Sequence, residues 1–183
     1  MSRATREPVL LSRLDAFTEV IGRSIAWLVL VMMLVQFAIV VMRYLFNVHS
    51  IVMQESVMYM HAAVFMLAAA FTLKHDGHVR VDVFNRRLSP RGRAWIELFG
   101  TLLLLIPVVL FLGLGSLRYV ASSWAILERS SDGGLPAVFL LKTLIPLMCL
   151  LLLLQGVAQA WRQLLILRGR LPAEETHEHE EIL

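Results

Sequence analysis

Long apolar stretches alternate with short polar links along this chain, and the apolar stretches set its architecture. The first, at about 25–42, contains one strongly polar side chain, Gln36, and the second, at about 56–73, contains one, His61. Two more follow at about 95–117 and 138–161. At about 1.5 Å of rise per residue, each is long enough as a helix to cross a hydrocarbon core of roughly 30 Å. The pattern predicts an all-α integral membrane protein with four transmembrane helices.

The links refine this picture. In 1–24, Leu10, Leu14, Phe17 and Ile21 recur at helical spacing, while Ser12, Arg13, Asp15 and Glu19 take the other side. This predicts an N-terminal interfacial amphipathic helix, with a frayed polar leader as the alternative. The apolar run 94–126 would reach roughly 50 Å as one helix, so it must tilt, bend or protrude, with Pro107, Gly113 and Gly115 as the places to bend. In the link before it, Val79, Val81 and Val83 alternate with Arg80 and Asp82. That alternation fits a strand, but an isolated strand beside a membrane has unpaired edges, which favours an interfacial turn or helix. Gly133, Gly134 and Pro136 mark the link before the last span as a built turn. The four-span domain covers 25–168, and 169–183 reads as an acidic, solvated tail.

Composition supports the same class. Of 183 residues, 58% are hydrophobic and 17% charged, with mean hydropathy +0.71, the balance of a polytopic membrane protein. The single cysteine, Cys149, lies in an apolar run, where it serves as a small packing residue. The net charge of +3 does not imply a nucleic-acid partner, because the cations sit beside the spans and the partner they fit is the lipid bilayer. Lys and Arg number four before the first span, one in the first link, six in the second, two in the third and three after the last. The positive-inside rule then puts both termini in the cytoplasm. Lys142, about one turn into the last span, is placed to snorkel outward, with a buried functional lysine as the alternative.

Candidate chemistry is sparse. Paired carboxylates, a nucleophile with its base and phosphate-cradling glycine loops are missing, which argues against an enzyme and against a bound cofactor. His61 raises one cofactor alternative, haem held between membrane histidines as in a cytochrome b-like anchor of an electron-transfer complex, but no other span offers a second imidazole. The terminal HEHEE run fits weak metal binding less well than a solvated tail. Gln36 is expected to bond to a neighbouring helix, because an unsatisfied amide in hydrocarbon is costly. Ala62, Ala63, Ala68, Ala69 and Ala70 give the second helix a smooth face suited to close helix association. No repeat relates the two halves, and few charges lie within the spans. A partner subunit is therefore expected, with a self-sufficient small carrier or channel as a remote alternative.

The residues in view resemble a known family over about 24–168. Arg43 and Tyr44 close the first helix, Glu55 opens the second, and HVRVD (His78, Arg80, Asp82) stands at its inner end. SW, ERSSDGGLPA, LIPL and LLLLQG follow in order. Together they resemble the small membrane subunit, the Q-type or DctQ-like component, of tripartite ATP-independent periplasmic (TRAP) transporters. Many members carry a tryptophan followed by two acidic residues where this chain has Val52, Gln54 and Glu55. The resemblance implies a scaffold subunit in the bacterial inner membrane, paired with a large elevator-type subunit and a periplasmic substrate-binding protein for sodium-driven uptake of an organic acid anion. On this reading Gln36, Arg43, Glu55, His61, Ala62, Ala69, His78 and Asp82 are candidates for the subunit interface. Glu128, Arg129, Asp132, Gly133, Gly134 and Pro136, in the longer outer link, are candidates for contact with the periplasmic partner.

Overall fold

The computed structural model describes residues 8–75, 77 and 89–172. Its elements are α1 (Val9–Leu45), α2 (Ile51–Lys74), α3 (Pro90–Gly100), a π-helical turn (Thr101–Leu105), α4 (Ile106–Ala125) and α5 (Val138–Leu167). Among the described residues there is no strand. Four helical stretches are long and apolar enough to span a membrane: Val9–Leu45, Ile51–Lys74, Pro90–Ala125 and Val138–Leu167. The expected strand-or-turn segment around Val79–Val83, with His78 and Asp82, lies outside the described residues, as does the acidic tail beyond 172.

One helix takes in both the N-terminal segment and the first span. α1 runs 37 residues without a break, about 55 Å at helical rise, so one end must project beyond a hydrocarbon layer. The expected amphipathic stretch is thus helical, but it continues directly into the span. Leu11 is 1% exposed and clusters with Ala158 and Leu165 of α5, with Leu14 and Leu171 packed beside them. Leu10 and Phe17 face outward at 58% and 52% exposure.

Caps place the next two helices. The Ser50 side chain accepts a hydrogen bond from the Met53 N–H at 3.3 Å, satisfying one of the orphan donors of a helix start. α2 therefore begins at Ile51, so that Gln54 and Glu55 lie within its first turns. Ser89 caps α3 in the same way from the Gly92 N–H at 3.2 Å, with Pro90 at the first helical position. The expected irregularity near Pro107 falls on the turn before it, where the Ile106 N–H bonds to the Thr101 carbonyl. A proline supplies no N–H and crowds the carbonyl one turn back, and a widened turn accommodates both effects. Gly113 and Gly115, the other candidates for a bend, lie in regular helix.

α2 and α5 form the inner pair: α1 packs on α2, and α3, the π-helical turn and α4 pack on α5. Glycines let the backbones approach. A Cβ on Gly22 would overlap the Phe71 ring, one on Gly113 would lie 3.2 Å from Cys149 Cβ, and one on Gly156 would lie 2.8 Å from Leu105 Cδ2. Lipid is as apolar as leucine, so close packing of small residues is what holds helices together here. The outer surfaces stay apolar and open, with Trp27, Phe37 and Phe111 at 71%, 66% and 77% exposure.

Candidate functional site: polar clusters at the two ends of the helices

Among the described residues, the polar side-chain contacts that join one helix to another gather in two clusters, one at each end of the helices. At the first end, the start of α2 and the link between α4 and α5 meet. The Glu55 carboxylate accepts from the Leu135 N–H at 2.6 Å and from the Ser130 hydroxyl. A Cβ on Gly134 would overlap that carboxyl group, so glycine is needed there for close approach rather than for its φ. Gly133, by contrast, takes φ +75, a region that side chains disfavour.

Beside this contact, Lys142 on α5 donates to Glu128 at 2.5 Å and stands 4.1 Å over the Tyr119 ring. Glu128 also accepts from the Ser123 hydroxyl at 2.6 Å. The Lys142 ammonium, and then the Ser123 hydroxyl, hold the Glu128 carboxyl below the usual carboxylate range. Lys142 thus points to the end of its helix, as expected for a snorkelling lysine, with a specific anion as its partner. Tyr59, one turn along α2 from Glu55, has a buried hydroxyl that hydrogen-bonds no described residue. Trp124 donates its indole N–H to Thr143 at 2.9 Å, tying the end of α4 to α5.

The opposite end joins α1, α2 and α5. Asp15 pairs with Arg162 at 2.5 Å. Gln155, 2% exposed, accepts from the Thr18 hydroxyl at 3.0 Å and donates to Asp15 at 3.5 Å. Lys74, the last residue of α2, donates to the Asp15 carbonyl and to Glu19, each at 3.0 Å. His75 and Arg23 stand 3.4 and 3.2 Å from Glu19. Glu97 accepts from Gln163, linking α3 to α5.

The structure brings together Glu55 and Gly134, which the sequence reading assigned to different surfaces. It separates Glu128 from Arg129 and Asp132: Glu128 is engaged with Lys142, whereas Arg129 and Asp132 are exposed, as are Gly133 and Pro136. Gln36 faces outward on α1 and hydrogen-bonds no described residue, so its expected bond to a neighbouring helix is not made among the described helices. His61 also faces outward. Arg43 lines a shallow cleft with Met42, His49, Met53 and Gln54 between the end of α1 and the start of α2. Ala62 and Ala69 are half-buried on the inner helix α2, where Ala70 is 3% exposed. Part of the smooth face is therefore used inside the chain. His78 and Asp82 lie outside the described residues.

Asp15, Thr18, Glu19, Gln155 and Arg162 were not singled out from the sequence as contacts. Their spacing in the chain holds no signal of pairing, although a glutamine within the last apolar span was visible as LLLLQG. Ser130 was likewise hidden, because a serine in a polar link is unremarkable until a carboxylate is placed against it.

Helices of membrane length, fastened to one another by polar contacts at both ends and largely apolar on their outer faces, define a small multi-pass helical membrane protein. The sequence matches the family of tripartite ATP-independent periplasmic transporters, DctQ component, over residues 32–165. The match spans most of the chain, which belongs to that family of transporter components. No curated protein and no solved structure matches it.

Proposed function

We propose that this protein is the small scaffold subunit of a TRAP-type secondary transporter in a bacterial inner membrane, working with a large elevator-type subunit and a periplasmic substrate-binding protein in sodium-gradient-driven uptake of an organic acid anion. Family membership supports a transporter component. The observation that carries the scaffold role is the position of two polar side chains. Gln36 lies nine residues before the end of α1 and His61 ten residues after the start of α2, both about 15 Å along the helix from the link that joins them. That is the middle of a hydrocarbon layer. Both side chains face away from the chain's own helices, and an unbonded amide or imidazole in lipid costs several kcal/mol. A polypeptide covering these faces removes the penalty, and the large subunit is that polypeptide.

The cation distribution orients the assembly with both termini in the cytoplasm, which sets the links around Asn47 and Asp132 on the periplasmic side. With the charges gathered at the helix ends, the chain offers little from which to build a substrate path of its own. Photocrosslinkers placed at Gln36 and His61 are expected to capture the large subunit, and proteoliposomes holding both membrane subunits and the binding protein are expected to take up substrate in proportion to the sodium gradient. Uptake by this chain alone, or full uptake without it, contradicts the scaffold reading. A Soret band in the purified protein would replace it with the electron-transfer anchor.

A further inference from the structure

The link between α4 and α5 is folded around a side chain it does not contain. Both carboxyl oxygens of Glu55, on α2, are taken up by that link: Oε2 accepts from the Leu135 N–H at 2.6 Å, and Oε1 accepts from the Ser130 hydroxyl. The Ser130 N–H donates to the Leu135 carbonyl at 3.4 Å, and the Ser130 hydroxyl oxygen accepts from the Asp132 N–H at 3.3 Å. Residues 130–135 thereby close on themselves with the carboxylate against them, and Gly134 leaves no room for a Cβ beside it. Two adjacent glycines give the unfolded link many conformations. Hydrogen bonds to a charged acceptor are the strong kind that select one of them.

We infer that Glu55 is a positioning residue for the link 126–136, presenting it as a preformed surface for a soluble protein instead of itself meeting a neighbouring membrane subunit. This rests on the periplasmic placement proposed above. Because Glu128 is paired with Lys142 at 2.5 Å, the charges the link offers to a partner are Arg129 and Asp132. Beside them Ile126 and Leu127 are 73% and 57% exposed, and Leu127 is held at φ +46. That backbone region disfavours a non-glycine residue, and its occupation outside a glycine shows a link held by its surroundings. The surface fits a protein patch with an apolar centre flanked by charges of both signs. Holding it in one shape beforehand removes an ordering penalty from each docking event.

Hydrogen exchange over 126–137, measured on the full-length chain in lipid nanodiscs, tests the inference. Glu55→Ala is expected to speed exchange at the Leu135 amide about tenfold or more, and Glu55→Gln, which keeps an acceptor oxygen, by less. Gly134→Ala is expected to speed exchange when Glu55 is present and to add little in Glu55→Ala, where the group it strikes is gone. Equal exchange in the wild type and Glu55→Ala, or effects of the two substitutions that simply add, overturns the inference. Should Glu55→Ala unfold α2, seen as lost protection along 56–73, Glu55→Gln and Gly134→Ala decide the same question. In proteoliposomes with the large subunit, Glu55→Ala is expected to raise the half-saturating concentration of binding protein about threefold or more while leaving the maximal rate within about twofold. Faster loop exchange with an unchanged half-saturating concentration overturns the docking surface and leaves Glu55 as the residue that shapes the link.

Discussion

Glu128 shows how one contact changes the meaning of a residue. Read as part of a polar link, it is a charge in water; in the structure it accepts from Lys142 at 2.5 Å and from Ser123 at 2.6 Å. Its carboxyl is held below the ordinary value of 4.5, so the sign of the pH dependence follows by linkage. A carboxylate with a depressed native pKa contributes stability that is fully present above the unfolded value and is lost as the pH falls through the native one. Thermal unfolding of the wild type in nanodiscs is expected to exceed that of Glu128→Gln at neutral pH, and the gap is expected to close as the pH drops below 4.5. A gap that persists at low pH sinks this assignment. At the other end, Gln155 is 2% exposed and bonded to Thr18 at 3.0 Å. Gln155→Ala removes the buried amide that joins Thr18 to Asp15, leaving the Thr18 hydroxyl the Leu14 carbonyl at 3.1 Å, and is expected to destabilise the chain by about 0.5–1.5 kcal/mol, read as a fall in midpoint of detergent-induced unfolding.

Among the helices, glycines mark where backbones touch, and they do so selectively. Gly156 on α5 faces Leu105 of the π-helical turn, where a Cβ would lie 2.8 Å from the leucine methyl, whereas Gly115 on α4 has nothing within 4 Å. Gly156→Leu is expected to wedge the third span from α5 and cost about 1–3 kcal/mol, while Gly115→Leu leaves the stability of the isolated chain nearly unchanged. Thermal unfolding of the two variants side by side checks the contrast, and equal losses contradict the packing described. The glycines were legible as features of the sequence, but their roles were not. Gly113 and Gly115 were expected to bend a helix, yet the irregularity sits at Thr101–Leu105, because the missing N–H and the ring of Pro107 act on the preceding turn.

For the whole molecule, one ion pair and one apolar cluster tie the ends of the described chain to one end of the helices: Asp15 pairs with Arg162, and Leu11 and Leu14 cluster with Leu165 and Leu171. Pairing the described ends in this way requires an even number of crossings between them, in accord with four spans. The cation count then predicts which side is which. Single cysteines at Asn47 and Asp132 are expected to react with an impermeant thiol reagent in intact cells, and one at Ser89 to be protected. The reverse pattern inverts the orientation.

Sequence alone determined the number of spans, their approximate places, the class of protein and the resemblance to a transporter component. The first three follow from how much apolar surface each stretch carries and where cations interrupt it, and the resemblance rests on short motifs such as Arg43–Tyr44, Glu55 and ERSSDGGLPA; none of them depends on which helix lies beside which. The order of packing, with α2 and α5 inside, was decided only in three dimensions, because all four stretches are apolar enough to face lipid. Tertiary structure likewise decided that Glu55 belongs to the link around Gly134, that Glu128 belongs to Lys142, and that Gln36 faces outward. Each of these is a meeting, or a failure to meet, between residues far apart in the chain. Periodicity reports only the face of a single helix, so the partner of a carboxylate 75 to 80 residues away has no trace in it.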